Sequence, residues 1–247
     1  VGHFQSGLDY SLYQNGLFRT YAYPPLFNSA NLSIRSFISR GQEKVIGSRD
    51  GLFYINEATG MVKSFVKPVL TSDLILTISF YQGEYYIGTY GGGMMVLNPE
   101  TLSLKYFSQS DTELFQKGHI FCVKPDTKGN LWIGTSQGLF NYNGQTKQIK
   151  HFTSANSQLP EGNVYEVSFD STGKGWIATE TGMCIYDPAS QNLRSNVFPE
   201  GFVNKDKVRT IYEDSEHNLY FIREKGSLFT SCLLYTSDAA DDMQCVD

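Results

Sequence analysis

Charge is scarce in this chain. Of 247 residues, 20 are Lys or Arg and 25 are Asp or Glu, 18 % in all, against roughly 25 % in ordinary globular chains. The formal net charge of −5 lacks the basic surplus that a non-specific nucleic-acid binder needs, so no nucleic-acid partner is expected. There is no run of about 18 apolar residues, hence no segment that would span a membrane as a helix. No basic stretch leads into an apolar one at the start, and the chain opens on Val1 rather than Met, so no signal peptide is seen. Histidine is rare: His3, His119, His151 and His217 are all there are, and no two have the His-x-x-x-His spacing of a metal site. A kinase phospho-acceptor His-Glu pair is absent, as is a Gly-x-Ser-x-Gly elbow. Gly91-Gly92-Gly93 lacks the following Lys-Ser/Thr of a phosphate loop. These absences predict no catalytic residues, no metal and no cofactor. Cysteine is also sparse, with Cys122 and Cys184 set on alternating segments that suit buried thiols better than a bridge.

Aromatics and glycine are plentiful instead. Tyr contributes 16 residues, Phe 17 and Gly 23, a bias toward β structure. The excess is organised as an internal repeat. Val45-Ile46-Gly47-Ser48-Arg49-Asp50-Gly51-Leu52 aligns with Tyr86-Ile87-Gly88-Thr89, with Trp132-Ile133-Gly134-Thr135-Ser136-Gln137-Gly138-Leu139 and with Trp176-Ile177-Ala178-Thr179-Glu180-Thr181-Gly182-Met183. A weaker copy opens the chain at Gly2, and a degraded one runs Tyr220-Phe221-Ile222-Arg223. The units are centred near residues 2, 47, 88, 134, 178 and 222, some 41 to 46 residues apart.

Each later unit is preceded by a turn opening on Asp: Asp126-Thr127-Lys128-Gly129-Asn130, Asp170-Ser171-Thr172-Gly173-Lys174, and Asp214-Ser215-Glu216-His217-Asn218. Asp at the first position, with Gly or Asn near the end, suits a turn that needs positive φ. Period-two alternation precedes and follows each turn, which predicts short antiparallel strands. Four strands in about 44 residues is the signature of a β-propeller blade. The fold class is therefore all-β, a β-propeller fragment over residues 1–231 with five to six four-stranded blades. A blade cannot bury both faces alone, so Trp132 and Trp176, with Tyr86 and Tyr220 in the same place, are assigned to the layer between blades. Gly47, Gly88 and Gly134 are read as letting neighbouring backbones approach, and Gly138 and Gly182 as hairpin residues with positive φ.

The pattern Asp-x-x-Gly-x-Leu-Trp-Ile-Gly-Thr-x-x-Gly-Leu at Asp126–Leu139 resembles the two-component regulator propeller repeat. Streptogramin-lyase propellers carry related repeats and stay open as an alternative. The resemblance implies a seven-bladed propeller in the extracytoplasmic sensor region of a hybrid histidine kinase, of the kind common in gut Bacteroidetes that senses glycan breakdown products. It further implies a periplasmic location, a homodimer in the full-length protein, and membrane attachment through parts beyond this chain. Residues 232–247 read differently. Cys232–Asp241 resembles a translated sequencing adapter, and this segment holds Asp238, Asp241, Asp242 and Asp247 but no base. It is treated as a non-native tail.

Candidate ligand residues follow from where the frame repeats but the residue does not. The short loops between second and third strands carry Phe4, Arg49, Asp50, Tyr90, Gln137 and Glu180, aromatic and polar groups suited to an oligosaccharide. The links between blades carry Phe27, Phe115, Leu159 and Phe202, expected to pack as plugs. Two other functions compete: a propeller lyase or glycosidase, which needs Glu180, His3 and His119 to converge, and a protein-interaction scaffold with a broad apolar patch.

Overall fold

The computed structural model describes residues 2–3, 7–11, 18–20, 33–107, 113–195, 207–223 and 228–231, with side chains described over 33–107, 114–195 and 207–223. Phe4, Phe27, Phe202, the His3 side chain and the tail 232–247 lie outside these.

The described residues form six antiparallel sheets in sequence order. The first holds β1 (Gly2–His3), β2 (Gly7–Ser11) and β3 (Phe18–Thr20). The second holds β4 (Ile34–Arg40), β5 (Glu43–Ser48), β6 (Leu52–Asn56) and β7 (Met61–Phe65). The third holds β8 (Ile75–Tyr81), β9 (Glu84–Thr89), β10 (Met94–Leu97) and β11 (Leu104–Tyr106). After a short helix, α1 (Glu113–Lys117), come β12 (Ile120–Pro125), β13 (Asn130–Thr135), β14 (Gly138–Asn143) and β15 (Ile149–Phe152). The fifth sheet holds β16 (Val164–Phe169), β17 (Gly175–Thr179), β18 (Gly182–Asp187) and β19 (Asn192–Arg194). The sixth holds β20 (Val208–Glu213), β21 (Leu219–Arg223) and β22 (Leu228–Ser231). Within each sheet, consecutive strands pair with their neighbours. This is the up-and-down blade of a β-propeller, and the fold class is all-β. The helix in the third link is a departure from the loop expected there.

The chain divides into two compact units, residues 1–123 and 124–247, and the boundary falls inside β12. In the first unit, Val45, Tyr54, Ile75, Tyr85, Ile87 and Met95 belong to one buried cluster drawn from the second and third sheets. Gly88 shows why the repeat carries glycine there. A Cβ on it would stand 2.6 Å from Thr77 Cγ2 and 2.7 Å from Ile120 Cγ2, closer than real Cβ contacts come. Gly47 stands in the same relation to Ile75. The close approach is therefore made by a β-branched side chain of the next sheet's first strand, not by its backbone. In the second unit, Ala178 holds the glycine position and packs in one cluster with Val208, a side chain one methylene smaller than Ile75 or Ile120.

Trp132 and Trp176 are buried, at 1 % and 2 % exposure. The Trp132 ring meets Tyr186 at 4.4 Å and Phe169 at 6.0 Å, both on the fifth sheet. Trp176 meets Phe221 of the sixth at 5.8 Å. These rings form the inter-sheet layer of this unit.

Two recurring devices shape the ends of the blades. A β-bulge interrupts the first strand of the second, third, fifth and sixth sheets, between Ile34 and Ser36, Ile75 and Thr77, Val164 and Glu166, and Val208 and Thr210. The extra residues are Arg35, Leu76, Tyr165 and Arg209. A bulge leaves one side chain outside the ladder and re-aims it. The second device is a buried hydroxyl. Ser48, Thr89, Thr135 and Thr179 are each fully buried, and each donates to a backbone carbonyl across its hairpin: Gly51 (3.1 Å), Gly93 (2.9 Å), Gly138 (2.8 Å) and Gly182 (2.9 Å). Gly138 takes φ +106°, and a side chain there would collide with the Phe152 carbonyl, so only glycine fits this corner.

Candidate functional site

The hairpin loops named from sequence are held against the links that precede the first strands. The Arg49 N–H donates to Ser33 O (3.0 Å), the Tyr90 N–H to Leu74 O (2.9 Å) and the Glu180 N–H to Asn163 O (2.9 Å). Each loop is therefore fixed at the end of the blade where the bulge residue emerges.

In the first unit, Tyr90 is the most firmly held of these residues. Its own carbonyl accepts the Ser72 hydroxyl at 2.8 Å, and the Gly92 carbonyl accepts the Thr71 hydroxyl at 2.6 Å. The Gly93 N–H donates to Gly118 O at 2.9 Å, and the Gly92 N–H to Thr89 Oγ1 at 3.0 Å. The glycine run is thus a clamped turn, gripped by the link before the third sheet and by the segment after α1. On this support the Tyr90 ring stays 50 % exposed. Its inner face stacks on His119 at 4.0 Å and 25°, and Phe121 lies 6.2 Å beyond the imidazole. His119 Nδ1 is buried without a hydrogen-bond partner. Arg49 and Asp50 are exposed on the neighbouring hairpin of this unit, and the Asp50 N–H donates to Ser48 Oγ at 2.9 Å.

In the second unit, Glu180 joins a polar group built around a bulge residue. Its Oε2 accepts the Asn163 N–H at 3.3 Å, and the Asn163 side-chain amide donates to the Tyr165 hydroxyl at 3.1 Å. The Arg209 guanidinium stands 4.5 Å over the Tyr165 ring, with Lys207 at 5.1 Å. Tyr165 and Arg209 are the bulge residues of adjacent sheets, and neither stands out in the sequence. Gln137 is exposed, and its carbonyl accepts the His151 Nε2–H at 2.8 Å. His217 sits in a turn at φ +67° and pairs with Glu213 at 2.9 Å. Of the residues named for an enzyme, His119 belongs to the first unit and Glu180 to the second. The link residues Phe115 and Leu159 are buried, at 0 % and 4 % exposure, packed as plugs beneath their loops.

The supports of the Trp layer complete the picture. Asp126 Oδ2 accepts the Trp132 indole N–H at 2.9 Å, Asp170 Oδ2 that of Trp176 at 2.8 Å, and Asp214 Oδ2 the Tyr220 hydroxyl at 2.9 Å. Residues 115–137, which contain the first of these turns, match the family model described as the two component regulator propeller. The pattern of Asp turn, aromatic residue and buried Thr in this segment recurs in the fifth sheet, and the Asp turn with its aromatic recurs in the sixth.

Among solved structures, the chain is similar to the extracellular domain of BT3049 from B. thetaiotaomicron, a proposed hybrid two component system. Identity is 27 %, the TM-score is 0.70, and the match covers 93 % of this chain and 31 % of that one. The extracellular domain of BT4673 from the same organism, also a proposed hybrid two component system, shares the fold at 18 % identity and a TM-score of 0.69, covering 92 % and 30 % of the two chains. A second BT4673 structure, described as a proposed one component system, matches at 20 % identity and a TM-score of 0.62, covering 81 % and 27 %. This chain spans less than a third of the length of these solved chains. No curated protein matches its sequence.

Proposed function

We propose that this chain is part of the extracytoplasmic sensor region of a hybrid two-component histidine kinase and binds a glycan-derived ligand without transforming it. The observation that carries the sensor reading is the similarity to the BT3049 extracellular domain, 27 % identical across 93 % of this chain. The glycan reading rests on the ends of the blades. A half-exposed Tyr90 ring on a clamped loop offers a flat apolar face of the kind on which a pyranose stacks, at little ordering cost. The Glu180–Asn163–Tyr165 group, with Arg209 above it, offers acceptors and donors for sugar hydroxyls. On this reading the domain lies in the periplasm of a homodimeric receptor. Ligand binding acts by favouring one of two packings of the dimer, which biases the kinase across the membrane.

The test is the uninterrupted reading frame that contains this chain, expressed and titrated with plant, host and microbial oligosaccharides. The proposal expects the frame to continue into a membrane helix and a kinase, and at least one oligosaccharide to bind. A stop codon soon after the last blade, or hydrolysis of a bound oligosaccharide, overturns it.

A further inference from the structure

A cleft of about 470 Å³ opens in the second unit, on the outer strands of the fourth and fifth sheets and on the link between them. None of the loop residues discussed above lines it. Lys150 and Phe152 stand on the β15 wall, Asn192 and Arg194 on the β19 wall, and Asn156 and Gln158 on the link. Its volume lies within the roughly 300–1,000 Å³ of small-ligand sites. A second lobe of about 250 Å³ adjoins it through Gln158, extending past Pro160 to Thr181 and Met183.

The walls are held from behind. Phe152 is buried and stacks on Trp132 at 5.9 Å and 13°, so the floor belongs to the inter-sheet core. Asn156 fixes the turn of the link: its Oδ1 accepts the Thr153 N–H at 2.8 Å and its Nδ2 donates to His151 O at 2.9 Å. Gln158 Oε1 accepts the Ser195 N–H at 3.0 Å, which clips the link to the end of β19. No described residue takes the Gln158 amide N–H groups, which are open to the cleft and to solvent. Lys150 Nζ lies 4.7 Å from the centre of the Phe152 ring, above the floor. Arg194 faces it from the other wall and shares its charge with Asp187 at 3.3 Å. Among the described residues, no carboxylate lines either lobe.

Two cations on opposite walls with amide donors between them form a site rich in donors, with no acid among its described lining residues. Such a lining suits an acceptor-rich anion. We propose that this cleft is a second ligand site, for an acidic sugar whose carboxylate or sulfate lies between Lys150 and Arg194. It does not depend on the hairpin ends of the blades.

The experiment is calorimetric titration of the full chain with three probes: a glucuronate-containing disaccharide, its methyl ester, and a sulfated disaccharide. The site predicts that one or both acids bind about tenfold more tightly than the ester, and that affinity falls between about 50 mM and about 500 mM salt. Lys150→Gln, which breaks no ion pair among the described residues, weakens binding of the acid, and adding Arg194→Gln weakens it about tenfold in total. Tyr90→Ala leaves it unchanged, which separates this site from the proposed loop site. Equal binding of acid and ester, binding of neither, or an acid affinity indifferent to Lys150→Gln would each overturn the proposal. Should Arg194→Gln lower the melting temperature, Lys150→Gln alone decides.

Discussion

The Asp170 carboxylate accepts the indole N–H of Trp176 at 2.8 Å, and both side chains are buried, at 6 % and 2 % exposure. The same carboxylate accepts the Thr172 N–H at 2.9 Å, the Thr172 hydroxyl at 2.6 Å and the Lys174 N–H at 3.0 Å. One residue thus builds the turn and anchors the aromatic layer. Hydrogen bonds to a charged group contribute about 1.5–3 kcal/mol. Asp170→Ala is expected to cost about 3 kcal/mol, because it removes several of these bonds and strands the buried indole N–H. Trp176→Phe removes one bond and part of the ring, and the cost is about 2 kcal/mol. Denaturant melts of both variants read these losses. Equal stability of Asp170→Ala and wild type contradicts the anchoring role.

The glycine positions make a second prediction. Gly88→Ala is expected to destabilise by about 1–3 kcal/mol through overpacking against Thr77 and Ile120. Combined with Ile120→Ala, the loss is smaller than the sum of the two single losses, since the second change vacates the space the first one needs. A double-mutant cycle in urea measures the coupling, and strict additivity would contradict the packing argument.

His119→Phe tests the stack beneath Tyr90. It keeps an aromatic ring there and removes a buried nitrogen without a hydrogen-bond partner. Burying an unpaired polar group costs about 1–3 kcal/mol, so the variant is expected to be more stable by about 1 kcal/mol. A loss of stability would show that Nδ1 has a partner in solution.

Glu166 gives a pH-dependent prediction. Burial pushes its carboxyl above the ordinary value of 4.5, opposed by Lys124 at 3.3 Å. A carboxyl raised in the folded state binds its proton more tightly there than in the unfolded chain. Its contribution is therefore greatest at and below the unfolded value, and is lost as pH rises through the folded one. The stability of wild type relative to Glu166→Gln should increase as pH is lowered from 7 to about 4.5. Thermal melts across that range decide the sign, and the opposite trend would mean that Lys124 outweighs burial.

Much of the blade was legible because its signals are local. The Asp turns, the period-two alternation and the hairpin glycines each follow from backbone chemistry within a few residues. What escaped is informative. Asp126, Asp170 and Asp214 read as turn residues, yet each precedes its aromatic partner by a constant interval, at Trp132, Trp176 and Tyr220. That spacing was the visible trace of the bond. Bulge residues such as Tyr165 and Arg209 are harder to see, because a bulge has no residue signature of its own. Its trace is a slip in alternation: in the fifth sheet the buried positions are Val164 and Val167, and in the sixth Val208 and Ile211, three apart rather than two. Tyr90 and Glu180 stand out in the sequence as candidates because they vary on a constant frame. Their partners His119, Asn163 and Tyr165 come from segments that only the fold brings beside them.

The account rests most heavily on the blade ends as a ligand surface. Titration calorimetry of an oligosaccharide panel against the full reading frame, in wild type and in Tyr90→Ala, tests that claim directly. The account predicts that a neutral oligosaccharide bound by wild type binds Tyr90→Ala at least about tenfold more weakly, in line with loss of an aromatic stacking face, while the melting temperature stays unchanged. Equal affinity in the two proteins, or no binding by wild type across the panel, would contradict it.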